Sequence, residues 1–330
     1  MFKHILVATD RVSRADAPVL TALDLAGQYH AKLTVLHVLE PGFTSNTEQV
    51  SPDYTETIKT KLHKTYESDV TYSHIVRFTI RTGCPWKEIL NEAHNPDTDL
   101  IILGPHSKQT EKKEAVRKNK KIGNTARKIL TRKNCPMMII NKPIAKEKLK
   151  FQKIIVGIDF SISCECALCL SVKLSRDFNS ILYPFFMIPI PPYPKYNGVH
   201  YKTDMDALTK KLEEFCDVYL DGTEHEYKIW GGALPHQEVL KCAEKTDADL
   251  IILGSHTKND TGKNYAGKWY AGSVVERVSF RADCPVLVLN DPKALEKWHD
   301  IQIPDQNRET ATDRSINLFH LKKRKGPSAC

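Results

Sequence analysis

The sequence predicts an α/β protein built from two tandem doubly wound units, each a parallel five-stranded sheet with helices on both faces. A repeat is the first reason. Four segments recur in the same order, 149 or 150 positions apart: KHILVATD (3–10) with KIIVGID (153–159), RTGCPWKEILNEA (81–93) with GGALPHQEVLKCA (231–243), TDLIILGPHSK (98–108) with ADLIILGSHTK (248–258), and IGNTARKILTRKNCPMMII (122–140) with AGSVVERVSFRADCPVLVL (271–289). Self-similarity of this length marks two copies of a whole unit. The second reason is that short apolar runs alternate with longer stretches of helical spacing inside each copy, in the order β-α-β-α-β-α-β-α-β. The third is length, since 330 residues exceed what one hydrophobic core usually fills.

Taken in order, ILVAT, LTVLHV, DLIILG and PMMII in the first copy read as strands that are apolar on both faces, as a parallel sheet covered on both sides requires. Between them lie helical patterns such as APVLTALDLAGQY. Right-handed crossovers then wind the sheet in both directions, and ligands on such sheets bind outside the carboxyl ends of strands where the winding reverses. Asp10 and Gly104 therefore fall at the ligand edge of the first copy, and Asp159 and Gly254 at that of the second. His37, inside LTVLHV, reads as a satisfied core histidine. The boundaries are a first domain over 1–142, a polar connector over 143–152, a second domain over 153–290, and a short helix with a disordered basic tail over 291–330. The short connector suggests that the two domains dock as an intramolecular pseudo-dimer, and pairing of two chains into a homodimer is left open.

Composition narrows the class. With 41% hydrophobic and 27% charged residues the chain is neither disordered nor fibrous. The opening residues pass straight into a strand pattern, no apolar run is long enough to span a bilayer, and the nine cysteines are scattered. These features predict a reduced, cytoplasmic protein without membrane partners. The net charge of +8 is concentrated: residues 108–121 hold seven Lys or Arg against two Glu, and HLKKRK lies near the C-terminus. The 108–121 run has no aromatic residue for base stacking, so it reads as a solvated loop and nucleic acid is not the expected partner. Ile188–Pro194 is proline-rich and reads as a stiff loop, with Tyr193, Tyr196 and Tyr201 nearby.

A first strand ending in Asp, a DLIILG strand with His106 or His256 two places on, and a small-residue turn before the last helix are combined in both copies. This combination resembles the universal stress protein family over nearly all of residues 1–290. The sharpest match is Gly272, Ser273 and Val274, followed by ERV and CPVLVL; Gly123, Asn124 and Thr125 are the weaker variant in the first copy. The resemblance implies an adenine nucleotide alpha hydrolase-like fold and a stress-response or signalling role without catalysis. In family members that bind ATP, the pattern is Gly, two residues, Gly, nine residues, Gly and a hydroxyl or amide residue around the phosphates, with the strand-end Asp on the adenine side.

Both copies depart from that pattern: Ser107 and Thr257 stand at the second glycine, and Gly104 to Gly123 spans 19 positions and Gly254 to Gly272 18. Weak binding of ATP with magnesium, mainly in the second domain, is the expectation. A partner-binding scaffold and a slow ATPase at the second domain are the alternatives.

Several residues carry two readings. Asp10 and Asp159 suit a nucleotide hydrogen bond or a cap on the next turn. Glycines permit close backbone approach, and a helix N-terminus presents free N–H groups to phosphate, with Ser273 doubling as an N-cap. His106 and His256 suit ligand contact better than catalysis. Cys164, Cys166 and Cys169 look superficially like metal ligands, but their offsets do not share one helix face, and packing is the stronger reading. Cys135 and Cys284, each before a proline, read as small packed hydrophobes.

Overall fold

The computed structural model describes the chain apart from residues 11–12, 14–15, 41–51, 67–75, 95–96, 106–121, 132–134, 190–197, 256–272, 290–291, 296–297 and 299–330; within described elements, the side chains at 52, 146, 198–201, 204, 273 and 292–293 are also excluded. The first half contains β1 (His4–Thr9), α1 (Ala17–Tyr29), β2 (Lys32–Leu39), α2 (Pro52–Tyr66), β3 (Val76–Thr82), α3 (Pro85–Ala93), β4 (Leu100–Leu103), α4 (Asn124–Leu130) and β5 (Met137–Ile139). The second contains β6 (Lys153–Gly157), α5 (Ile162–Phe178), β7 (Ile181–Pro189), α6 (Gly198–Leu220), β8 (Lys228–Gly232), α7 (Pro235–Thr246), β9 (Leu250–Gly254), α8 (Ser273–Arg281) and β10 (Val286–Leu289).

Local chemistry explains several helix ends. Pro85 and Pro235 open α3 and α7, where the missing N–H costs nothing. The Ser161 hydroxyl accepts from the Cys164 amide at 3.1 Å and caps α5. His30, Asn179 and Asp247 close α1, α5 and α7 in the left-handed region.

All ten strands form one sheet in the order β3-β2-β1-β4-β5-β10-β9-β6-β7-β8. Pairing is parallel within each half, and the predicted parallel five-stranded sheets are therefore present. They are joined edge to edge by an antiparallel pair, with Val286 opposite Ile139 and Val288 opposite Met137. Alternate residues feed opposite faces: Ile5 and Val7 enter one core with Ile154, Leu168 and Leu212, while Leu6 enters the other with Met137, Ile155 and Val286. Both cores thus run continuously through both halves.

The connector departs from its polar reading. Residues Lys146–Lys150 form a 3-10 turn, and Leu149 and Phe151 are buried in the shared core. Lys150 between them is exposed and further lysines precede them, which is why a composition-based reading sees only charge. Side-chain links also cross the junction. The Asn141 amide donates to the Ala282 carbonyl at 2.8 Å, Lys142 pairs with Asp283, and Tyr29 donates to Asp177 at 3.0 Å. Beyond β10, a 3-10 turn over Pro292–Leu295 leads to Trp298, whose ring packs edge-on against Phe2 of the first half at 6.0 Å. The predicted tail over 299–330 lies outside the described residues.

Candidate functional site

In each half the winding reverses between two neighbouring parallel strands, β1 and β4 in the first and β6 and β9 in the second. Asp10 and Gly104 leave one such pair, Asp159 and Gly254 the other, so the structure brings each predicted couple to a switch point. Because β5 and β10 are antiparallel, the two carboxyl edges point in opposite directions at the junction.

The first edge is held by a polar network. Thr9 donates to the Asp16 carboxylate, His37 donates through Nδ1 to the Thr9 carbonyl at 2.9 Å, and Tyr66 donates to the Ser13 carbonyl at 2.8 Å. Burial holds the His37 imidazole below its ordinary pKa, while the Thr9 carbonyl and Asp10 pull it back up. His37 is thus the satisfied core histidine that its strand pattern implies. Asp10 itself is exposed. Across the edge, the Gly123 amide donates to the Pro105 carbonyl at 2.7 Å, which draws the start of α4 against the end of β4. Gly123 is the N-cap, Asn124 is exposed and accepts from Arg127 at 3.3 Å, and Thr125 is half-buried. The helix that follows has seven residues.

The second edge is built differently. Asp159 Oδ1 accepts from the Ser161 amide at 3.0 Å, and Ser161 in turn caps α5. Between them Phe160 adopts φ +63° and drives its ring into the core, 4.9 Å from Phe186 and 5.2 Å from Phe215. Asp159 therefore does fulfil the turn-bracing alternative, through one oxygen. Gly254 lies directly beneath the first turn of α5: an added Cβ would fall inside contact distance of the Cys164 nitrogen and the Ser163 carbonyl. The need for glycine there comes from this close backbone approach.

The nine-residue α8 starts at Ser273, with Val274 half-buried. Ser273 is the first helical residue, one place inside the cap position that Gly123 takes in the first half. Gly272, His106, His256, Ser107 and Thr257 lie outside the described residues.

Cys164, Cys166 and Cys169 are buried within α5. Burial raises the Cys164 thiol far above its usual range and pushes Cys169 up to about 12, the behaviour of packed thiols. Among the described residues no group of three or more His, Cys, Asp or Glu side chains is arranged to hold a metal ion. No helix among them is long and apolar enough to cross a membrane. The residues that sequence reasoning passed over are Phe160 and Ser161. Their signal was an Asp-x-Ser step directly before an apolar helical run, in which Ser is an N-cap by residue type and spacing.

The family model described as the universal stress protein family matches twice, over residues 1–141 and 150–290. This chain belongs to the universal stress protein family. Among curated members, universal stress protein MJ0531 of Methanocaldococcus jannaschii is 28% identical over 164 residues, covering 47% of this chain and 91% of that protein. Universal stress protein MJ0577 of the same organism is 41% identical over 88 residues, 27% of this chain and 47% of that protein. A crystal structure of a universal stress protein from Archaeoglobus fulgidus DSM 4304 superposes with a TM-score of 0.60 at 18% identity, covering 87% of this chain and 98% of that one. A functionally unknown protein, PA1789 from Pseudomonas aeruginosa PAO1, gives 0.59 at 15% identity, with coverage of 90% and 95%. At these identities the structural matches establish a shared fold, tandem halves included.

Proposed function

We propose that this universal stress protein is a non-enzymatic stress-response module that binds an adenine nucleotide weakly, with its magnesium, at the carboxyl edge of the second half. The observation that supports this most is the switch point between β6 and β9, where Asp159 is fixed by Ser161 and a nine-residue helix opens with Ser273. The dipole and free amides at such a helix end suit phosphate, and a turn already held in place lowers the ordering cost of binding. Gly272, Ser273 and Val274 would carry the phosphates, with Asp159, Gly254 and His256 around the rest of the nucleotide. The corresponding set in the first half, Asp10, Gly104, His106, Gly123, Asn124 and Thr125, opens a helix of only seven residues and is the weaker candidate. One Asp159 oxygen is already taken by the Ser161 amide, which favours binding over a slow ATPase.

Thermal unfolding of the full chain with magnesium-ATP tests this reading. A nucleotide at a hundredfold excess over its Kd stabilises by about 2.7 kcal/mol. We expect a concentration-dependent rise in Tm that disappears in Gly272→Val, whose side chain blocks the phosphate approach. A chain that shows no rise would instead be a partner-binding scaffold.

A further inference from the structure

The sheet ends at β3 and β8, and these two strands differ in what they expose. β3, VRFTIRT, carries no acid: the exposed Arg77 and Arg81 share a single carboxylate, Glu92 of α3. Two such edges brought together would set guanidinium against guanidinium, a common guard on an open edge. β8 has no such guard. Ile229, Trp230 and Gly231 are half-buried, and the chain runs on through Ala233 and Leu234, both exposed. Val218, 58% exposed, lies on α6 beside Asp217, whose carboxylate accepts from the Tyr227 hydroxyl just ahead of β8. The large apolar side chains most exposed among the described residues are Tyr54, Val218 and Leu234, and the last two flank this edge.

The backbone of this edge has a fixed polarity. The Leu182 amide donates to the Glu224 carbonyl and the Leu182 carbonyl accepts from the Glu226 amide, both at 2.9 Å. His225 thus bridges Leu182, in the register that β8 continues. Even-numbered residues bond to β7, and the amides and carbonyls of His225, Tyr227 and Ile229 point off the sheet. Side chains alternate with the same period: Tyr227 and Ile229 lean on one core, while Lys228 and Trp230 stand on the other face. On that face Lys228 pairs with the exposed Glu226, and its ammonium lies 5.3 Å from the Tyr183 ring centroid.

We propose that the β8 edge pairs antiparallel with the same edge of a second copy, across a twofold axis at Tyr227. In that register Tyr227 faces its own symmetry mate and His225 faces Ile229, so the outward amides and carbonyls of all three find partners. Glu226 falls opposite Lys228 of the second copy, and Lys228 opposite its Glu226. This closes a square of alternating charges at the positions where cross-strand side chains are nearest. The chain already joins two five-stranded sheets antiparallel through β5 and β10, and the same operation at β8 extends the sheet across both copies. The contact closes on itself, because the β3 edges at the far ends stay guarded. β7 separates β8 from the β6–β9 switch point, so the pairing does not rest on nucleotide binding.

Sedimentation equilibrium of the full chain tests the pairing. We expect a monomer–dimer equilibrium whose Kd rises about tenfold or more in each charge reversal, Glu226→Lys or Lys228→Glu, because every opposed pair then carries like charges. An equimolar mixture of the two variants should recover the dimer, since one supplies only lysines and the other only glutamates at the positions that meet. That recovery also shows that both variants are folded. A chain that stays monomeric up to about 100 μM, a dimer that both reversals leave intact, or a dimer weakened by the reversals and not recovered on mixing would each overturn the contact.

Discussion

The two halves reach their switch points with the same strands and fill them with different chemistry. In the first, Thr9, Asp16, His37 and the hydroxyl of Tyr66 hold the β1–α1 loop through polar contacts. In the second, Phe186 stands at the strand position of His37, and Phe160 packs against it. Asp159 and Ser161 then lead straight into α5. Topology places the edge, but the residues just beyond the strand decide whether it is tied by hydrogen bonds or by an aromatic core. Function can therefore differ between halves that share a fold.

The sharpest way to break this comparison is Phe160→Ala. It removes a fully buried ring from the second edge and should cost about 3–5 kcal/mol in denaturant unfolding. A loss below about 1 kcal/mol would mean that the aromatic stack does not organise that edge. Gly254→Ala comes next. Its Cβ would press on the backbone of Ser163 and Cys164, which cannot swing away as a side chain could, and a cost of about 1–3 kcal/mol is expected from the same measurement.

Acid should act on the first half. His37 and His4 are buried with pKa values held below the unfolded value, chiefly by desolvation. The unfolded chain therefore takes up protons first as the pH falls. Stability is full above about 6.5 and declines as pH drops toward the folded values, by up to about 1.4 kcal/mol per pH unit for each histidine. His37→Phe, which adopts the second half's residue, should flatten that decline when unfolding is followed from pH 7 to 5. Ser161→Ala deletes the α5 cap and should cost about 1 kcal/mol. Smallest is Gly27→Ala in α1, where a Cβ meets nothing within 4 Å; it should stabilise the first half by about 0.5–1 kcal/mol.

Much of this was legible in the residues. The repeat and the both-face apolar strands lead directly to two parallel units, and the strand-end aspartates and glycines lie at the switch points as their positions imply. The junction was not legible, because PMMII and PVLVL look like any buried strands and neither states which edge it will pair with. Leu149 and Phe151 were hidden by the lysines around them, although their burial ties the connector into the core.

The antiparallel seam between β5 and β10 has a further consequence. Both strands belong to one polypeptide, so their union is intramolecular and does not weaken on dilution, as a complex of separate copies would. With those strands spent on each other, the sheet ends at β3 and β8, far apart, and its two carboxyl edges look away from each other. A ligand seated at one edge would therefore not meet a ligand seated at the other.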